Sequence, residues 1–276
     1  MRSPRALPWG TWARQVRTIV ALDGRTALGG RSIVLLILAS LPILLLGARA
    51  LFEHARTAGQ LAEDEVVFAV IYRTLVLRLV VFFGCVVVFT RLFRGEVLDK
   101  SLHYYFLAPV RREVLVAGKF LSGLLTALVL FVPVTAVSWL LLYVPLGTGG
   151  FVSRVTSGQG VRHLLAYCTV TTLACIGYGA LFLLSGIALR NPVVPAVLIL
   201  AWESLNALLP PLLKKISVIH YLESLCPVPL PAEKISILAT PAPPAVAVPG
   251  ILALAAVVLV AASWFVRRME VLYGTE

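Results

Sequence analysis

Long apolar runs separated by short charged segments dominate the pattern of this chain. Apolar stretches occur at about 32–48, 74–90, 120–144, 164–189, 193–213 and 247–266. Each is close to the about 20 residues that an α-helix needs to cross a bilayer. The second stretch fits the inner part of a longer helix that begins near Val66. The pattern predicts an all-α, polytopic integral membrane protein with about six transmembrane helices.

Three segments outside these runs have patterns of their own. Residues 9–22 repeat apolar side chains at helical spacing, which predicts an amphipathic helix in the membrane interface with its tryptophans at headgroup depth; the apolar positions are Trp9, Trp12, Val16, Ile19 and Val20. The glycine-rich segment 147–160 predicts a flexible turn. Residues 213–245 are apolar but interrupted by prolines, which favours short re-entrant or interfacial helices.

Composition and charge set the class and the orientation. The 276 residues are 59% hydrophobic, well above the roughly 45–50% of a soluble domain. The net charge of +11 is explained better by topology than by nucleic acid, because basic residues collect on the cytoplasmic side of membrane proteins. We expect the protein to lie in a cell membrane, of the bacterial inner type, with its spans within 32–266. The N-terminal segment 1–31 and the tail 267–276 are predicted to be cytoplasmic, and the acidic segment 51–65 is predicted to lie outside.

The loop at 91–119, between the second and third runs, is a charged island beside the membrane. Within it, residues 96–106 predict a short surface helix with one apolar stripe, which suits docking on a partner. The stripe contains Leu98, Leu102, Tyr105 and Phe106, and the polar side contains Glu96, Asp99, Lys100 and His103. Pro109 cannot continue this helix, and Arg111 and Arg112 follow as the chain returns to the bilayer.

This loop resembles the first cytoplasmic loop of ABC-2 type transporter permeases. The residues that carry the resemblance are Gly84, Glu96, Asp99, Ser101, Leu102, Pro109, Arg111, Arg112, Gly118 and Lys119. The resemblance covers about a quarter of the chain and implies that 96–106 is a coupling helix on a separate ATP-binding subunit. The contact residues would then be Glu96, Leu98, Asp99, Leu102, His103, Tyr105, Phe106, Pro109, Arg111 and Arg112. It also implies a second permease copy, identical or homologous, and an export function, with ATP and magnesium held by the partner and no cofactor in this chain.

Two charged residues lie inside predicted spans. Arg78 is placed about one turn from the outer boundary of the second span, where it can reach the interface; the alternative is that it contacts anionic substrates along a transport path. Glu203, in the fifth span, has two interpretations. It holds helices together against a polar group of another span, or it lines the transport route or binds a proton.

Signals for chemistry in the chain itself are weak. A phosphate-binding loop is not predicted at Gly118-Lys119, because Glu113 and Phe120 stand where glycine and Ser or Thr are required. The four cysteines and four histidines lack metal-ligand spacing. We therefore expect a transport subunit and no enzyme. The alternative is an ion- or proton-coupled secondary transporter that uses Arg78 and Glu203 as its charged pair. The substrate is not predicted.

Overall fold

A computed structural model describes residues 9–27, 32–52, 61–98, 111–156, 158–189, 191, 193–205, 210–228 and 243–268. These residues are helical almost throughout, and no β-strand occurs among them. The helices are α1 Trp9–Ala27, α2 Ser32–Phe52, α3 Leu61–Ile71, a π-helical segment Tyr72–Val81, α4 Phe82–Leu98, α5 Arg112–Tyr143, α6 Gly147–Thr156, α7 Gly158–Ala188, α8 Val193–Ser204, α9 Pro211–Lys214, α10 Val218–Leu225 and α11 Pro244–Arg268.

Five of the helices in the described part of the chain are long and apolar enough to cross a membrane. They are Ile33–Phe52, Asp64–Phe93, Arg112–Tyr143, Gln159–Ala188 and Pro244–Arg268. This confirms an all-α, membrane-embedded protein. The longer second helix is also confirmed, since it continues from α3 through the π-helical segment into α4.

The fifth predicted crossing is described only in part, over 193–205 and 210–213. Its helix, α8, has 12 residues, which at 1.5 Å per residue span about 18 Å of a hydrocarbon core about 30 Å thick. Pro210 stands just beyond this helix and Pro211 begins the four-residue α9, so the apolar run does not form one continuous helix over its described length. The described part of the run is thus interrupted at Pro210, and a complete span at 193–213 stays a prediction.

The interrupted segment that follows does form short helices, as predicted. The eight-residue α10 is far too short to span a membrane, and it packs against α7 and α11. The prediction of a flexible turn at 147–160 is wrong, because α6 and the start of α7 occupy it. Phe151 and Val155, four residues apart, pack on the core and provide the helical face that the glycine content obscured.

Close approach of the helices depends on small residues facing aromatic rings. The centre of the bundle is α7, which contacts α4, α5 and α11. A Cβ built on Gly84 of α4 would lie 2.0 Å from the Phe131 ring of α5, and one on Gly179 of α7 would lie 2.5 Å from the Phe89 ring. These glycines therefore set the distance between α4, α5 and α7, as small residues do in membrane bundles.

Ion pairs and hydrogen bonds identify the two ends of the bundle. At one end, Lys119 of α5 binds Asp23 of α1, and Arg112 of α5 binds the end of α11; we call this the Lys119 end. At the opposite end, Glu65 of α3 is 3.4 Å from the Tyr143 hydroxyl at the end of α5; we call this the Glu65 end. The helices α4 and α5 thus run in opposite directions, and the end of α4 and the start of α5 lie at the Lys119 end.

Candidate functional site

A buried ion pair joins α1 to the start of α5. The Lys119 ammonium nitrogen donates to Asp23 Oδ1 at 2.8 Å, and the two side chains are only 1% and 9% exposed. One turn along α1, Ile19 lies against Gly118, where a Cβ would come within 2.9 Å of the isoleucine side chain. Arg111, just before α5, has its guanidinium carbon 5.0 Å from the centre of the Trp12 ring. The apolar stripe predicted to lie at headgroup depth thus contacts α5 through Trp12 and Ile19.

The start of α5 is also bound to the end of α11. The Arg112 Nη1 donates to the carbonyl oxygens of Val266 at 2.8 Å and of Arg267 at 2.7 Å. The Arg267 guanidinium also forms an ion pair with Glu113. Together with Asp23 and Lys119, these residues form what we call the clamp: they bind three helices to one another directly after the loop 99–110. The start of α5 is therefore joined to both α1 and α11.

The predicted partner-binding helix lies mostly outside the described residues. Asp99, Leu102, His103, Tyr105, Phe106 and Pro109 are all outside them. Glu96 and Leu98 form the last turn of α4, of which only the backbone is described. Arg111 and Arg112, the last of the predicted contacts, are described, and Arg111 is exposed.

The two predicted intramembrane charges both contact α10. The Arg78 Nη2 is 3.0 Å from Glu223 Oε1 of α10, and the two side chains are 41% and 27% exposed. The long helix extends over Asp64–Phe93, so Arg78 lies near its middle. The distance of Arg78 from the membrane boundary stays a prediction, and Arg78 has a carboxylate partner in Glu223.

The π-helical segment brings a second arginine to the same neighbour. The Arg73 Nη2 donates to the Val228 carbonyl oxygen at 3.0 Å, just after α10. Because a π-helix bonds residue i to residue i+5, residues five apart lie more nearly one above the other than in an α-helix. Arg73 and Arg78 can therefore both reach the segment from Glu223 to Val228.

Glu203 connects three elements. Its Oε2 accepts a hydrogen bond from the Tyr178 hydroxyl of α7 at 2.7 Å, and its Oε1 accepts a longer one, at 3.4 Å, from the backbone N–H of Ile219 in α10. The Ser217 side chain at the N-cap of α10 makes no capping hydrogen bond, so Glu203 supplies an acceptor for an amide in the first turn. This confirms that Glu203 holds helices together against a polar group of another helix. Its role in a transport route stays a prediction.

Several residues of this site were not predicted from the sequence. Glu223 and Tyr178 complete what we call the polar cluster, with Arg78 and Glu203. Tyr178 lies in a run without charged residues and gave no signal. The sequence did contain a signal for Asp23, because Asp23 is the only acidic residue among the first 50 and lies on the same helical stripe as Trp12 and Ile19.

Comparisons with protein-family models, with curated proteins and with solved structures found no match for this chain. Within the described residues no group of three or more His, Cys, Asp or Glu side chains could hold a metal ion. The four cysteines are free thiols. The interpretation of the site therefore depends on the sequence and the geometry alone.

Proposed function

We propose that this chain is the membrane-spanning permease subunit of an ATP-driven exporter of the ABC-2 type, with both termini cytoplasmic. The observation that carries the proposal is the clamp. An external subunit can move membrane helices only if the segment it holds is joined rigidly to them. The residues from Arg111 to Lys119, directly after the proposed docking segment 96–109, meet this requirement because they contact α1 and α11 through charged groups.

In the proposed mechanism, two ATP-binding subunits close around ATP and pull on the segment 96–109. The displacement passes through Arg112 and Lys119 to α11 and α1, so that the end of the bundle moves as one unit. Close packing at Gly84 and Gly179 transmits the movement to α4 and α7, because tightly packed cores deform little. A second copy of the permease would complete the translocation path.

The test is whether an ATP-binding subunit copurifies with this chain from the membranes of its own cells. The double variant Leu102→Asp and Tyr105→Asp should abolish the association, because two carboxylates would interrupt the apolar stripe. The control is Val152→Asp, at an exposed position of α6. The helix α6 follows the C-terminal end of α5, away from the docking segment, so this variant should leave the association unchanged. Both variants must reach the membrane at the level of the unchanged chain. Retention of the ATP-binding subunit by the double variant would refute the docking segment.

The polar cluster favours a second candidate, an ion- or proton-coupled secondary transporter. An ion pair near the middle of a long apolar helix, beside a buried carboxyl group, is the arrangement expected of a coupling site. This candidate predicts transport by the purified chain in vesicles without any ATP-binding subunit. Transport that requires both ATP and the partner would exclude it.

A further inference from the structure

The helix α1 has two faces of different character. One contacts α5 through Ile19, Asp23 and Trp12. The other bears an open cleft of about 480 Å³, and its lining residues follow one helical stripe: Arg14, Arg17, Thr18, Ala21 and Leu22. The cleft combines two guanidinium groups with aliphatic surface, and Leu22 is 51% exposed.

No carboxylate among the described residues forms an ion pair with this stripe. Arg14 and Arg17 are exposed and form no ion pair with any residue that the structure describes. The described carboxylates at this end are already engaged, since Asp23 binds Lys119 and Glu113 binds Arg267. The cleft is therefore electrostatically complementary to an anion.

The surroundings indicate an anion that has an apolar part. At the same end of the bundle, the Arg268 guanidinium carbon lies 3.8 Å from the centre of the Trp264 ring, which is 47% exposed. Phe265, beside it, is 42% exposed. Arginine and exposed tryptophan together are typical of the headgroup level of a membrane. A water-soluble polyanion would gain nothing from the aliphatic floor of the cleft.

We propose that Arg14 and Arg17 bind the phosphate of an anionic phospholipid, and that Ala21 and Leu22 contact the glycerol and the first methylenes of its acyl chains. A guanidinium group binds a phosphate through two parallel N–H donors, which gives both arginines a geometric match to the headgroup. Bound lipid would fix α1 against the bilayer, as an anchor for the clamp. The proposal goes beyond the proposed function, because it needs neither a partner subunit nor a transported substrate.

The experiment uses the full chain in neutral detergent micelles. Thermal unfolding is followed while phosphatidylglycerol, phosphatidylcholine, inorganic phosphate or hexaglutamate is added. We expect phosphatidylglycerol to stabilise the chain at lower concentration than any of the others. At about 1 kcal/mol for each arginine near an anionic surface, the variant Arg14→Gln with Arg17→Gln should lose about 30-fold in apparent affinity for phosphatidylglycerol. The variant Arg162→Gln, at an exposed position on the opposite end of the bundle, should lose nothing.

Each other outcome contradicts the proposal. Equal stabilisation by phosphatidylcholine would remove the role of charge. Equal stabilisation by phosphate or hexaglutamate would indicate a general anion site and no lipid. Unchanged affinity of the double variant would place the lipid elsewhere. Should the double variant unfold without lipid, the single variant Arg17→Gln provides the same test, with an expected loss of about 5-fold.

Discussion

Removing one member of the Asp23–Lys119 pair should destabilise the chain strongly. Both side chains are almost fully buried and their charged atoms are 2.8 Å apart. Breaking such a pair leaves an uncompensated charge in a low-dielectric site, which costs about 3–5 kcal/mol. Natural proteins have about 5–15 kcal/mol of stability in total, so Lys119→Met or Asp23→Leu should lower the unfolding midpoint clearly. The expected shift is at least about 6 °C, at about 2 °C per kcal/mol for a chain of this size.

The double variant separates an ion-pair effect from a packing effect. Asp23→Leu combined with Lys119→Met leaves no buried charge, so its cost should be smaller than that of either single variant. Thermal unfolding of all four proteins in the same detergent gives the coupling free energy. Arg91→Met, at an exposed position of α4, is the control and should change stability by less than about 0.5 kcal/mol. Single variants that each cost less than about 1 kcal/mol, and that add in the double variant, would refute the role of this pair.

Three further predictions use the same unfolding assay. Glu203→Gln should cost little because an amide oxygen still accepts from Tyr178, whereas Glu203→Leu should cost about 1–3 kcal/mol by leaving that hydroxyl unsatisfied. Equal costs would contradict the role of this hydrogen bond. Gly84→Ala should cost about 1–3 kcal/mol, because its Cβ would overlap an aromatic ring of α5, while Gly47→Ala, with nothing within 4 Å, should be neutral or slightly stabilising. Burial lowers the pKa of His220, so the folded state binds a proton less readily than the unfolded state. The free energy of unfolding should therefore fall as the pH drops below about 6.5, and His220→Gln should weaken this pH dependence. An unchanged pH profile in the variant would exclude His220 as its source.

Hydrophobic pattern predicted the architecture well where a run is both long and uniform. Five of the six predicted spans correspond to helices that can cross a membrane. Polar or small residues stand at both ends of each of these runs, so the length of the run was enough to predict a membrane-crossing helix. The second helix was predicted to reach back as far as Val66, and it begins still earlier, at Leu61. The acidic residues Glu63 to Glu65 concealed this start, because carboxylates are expected in loops and are also favourable in the first turn of a helix.

Local composition failed where tertiary contacts decide the conformation. The segment 147–160 has the glycines of a turn, yet Phe151 and Val155 have core neighbours and the chain stays helical. The partners of Arg78 and Glu203 could not be predicted either. They lie on elements 145 and 25 residues away along the chain, and a single sequence contains no record of such contacts.

The non-helical backbone at Pro210 and the position of Glu203 have a common physical explanation. A helix that stops within the hydrocarbon core leaves backbone carbonyl groups, and the helix that follows it leaves backbone N–H groups, without water to satisfy them. Such a break is tolerated only where protein groups replace water, and Glu203 stands in the last turn of α8 with an oxygen facing the first turn of α10. Tyr178 binds the other oxygen and fixes the carboxyl group to α7. The acidic residue that looked misplaced in an apolar span thus supplies an acceptor to the first turn of α10.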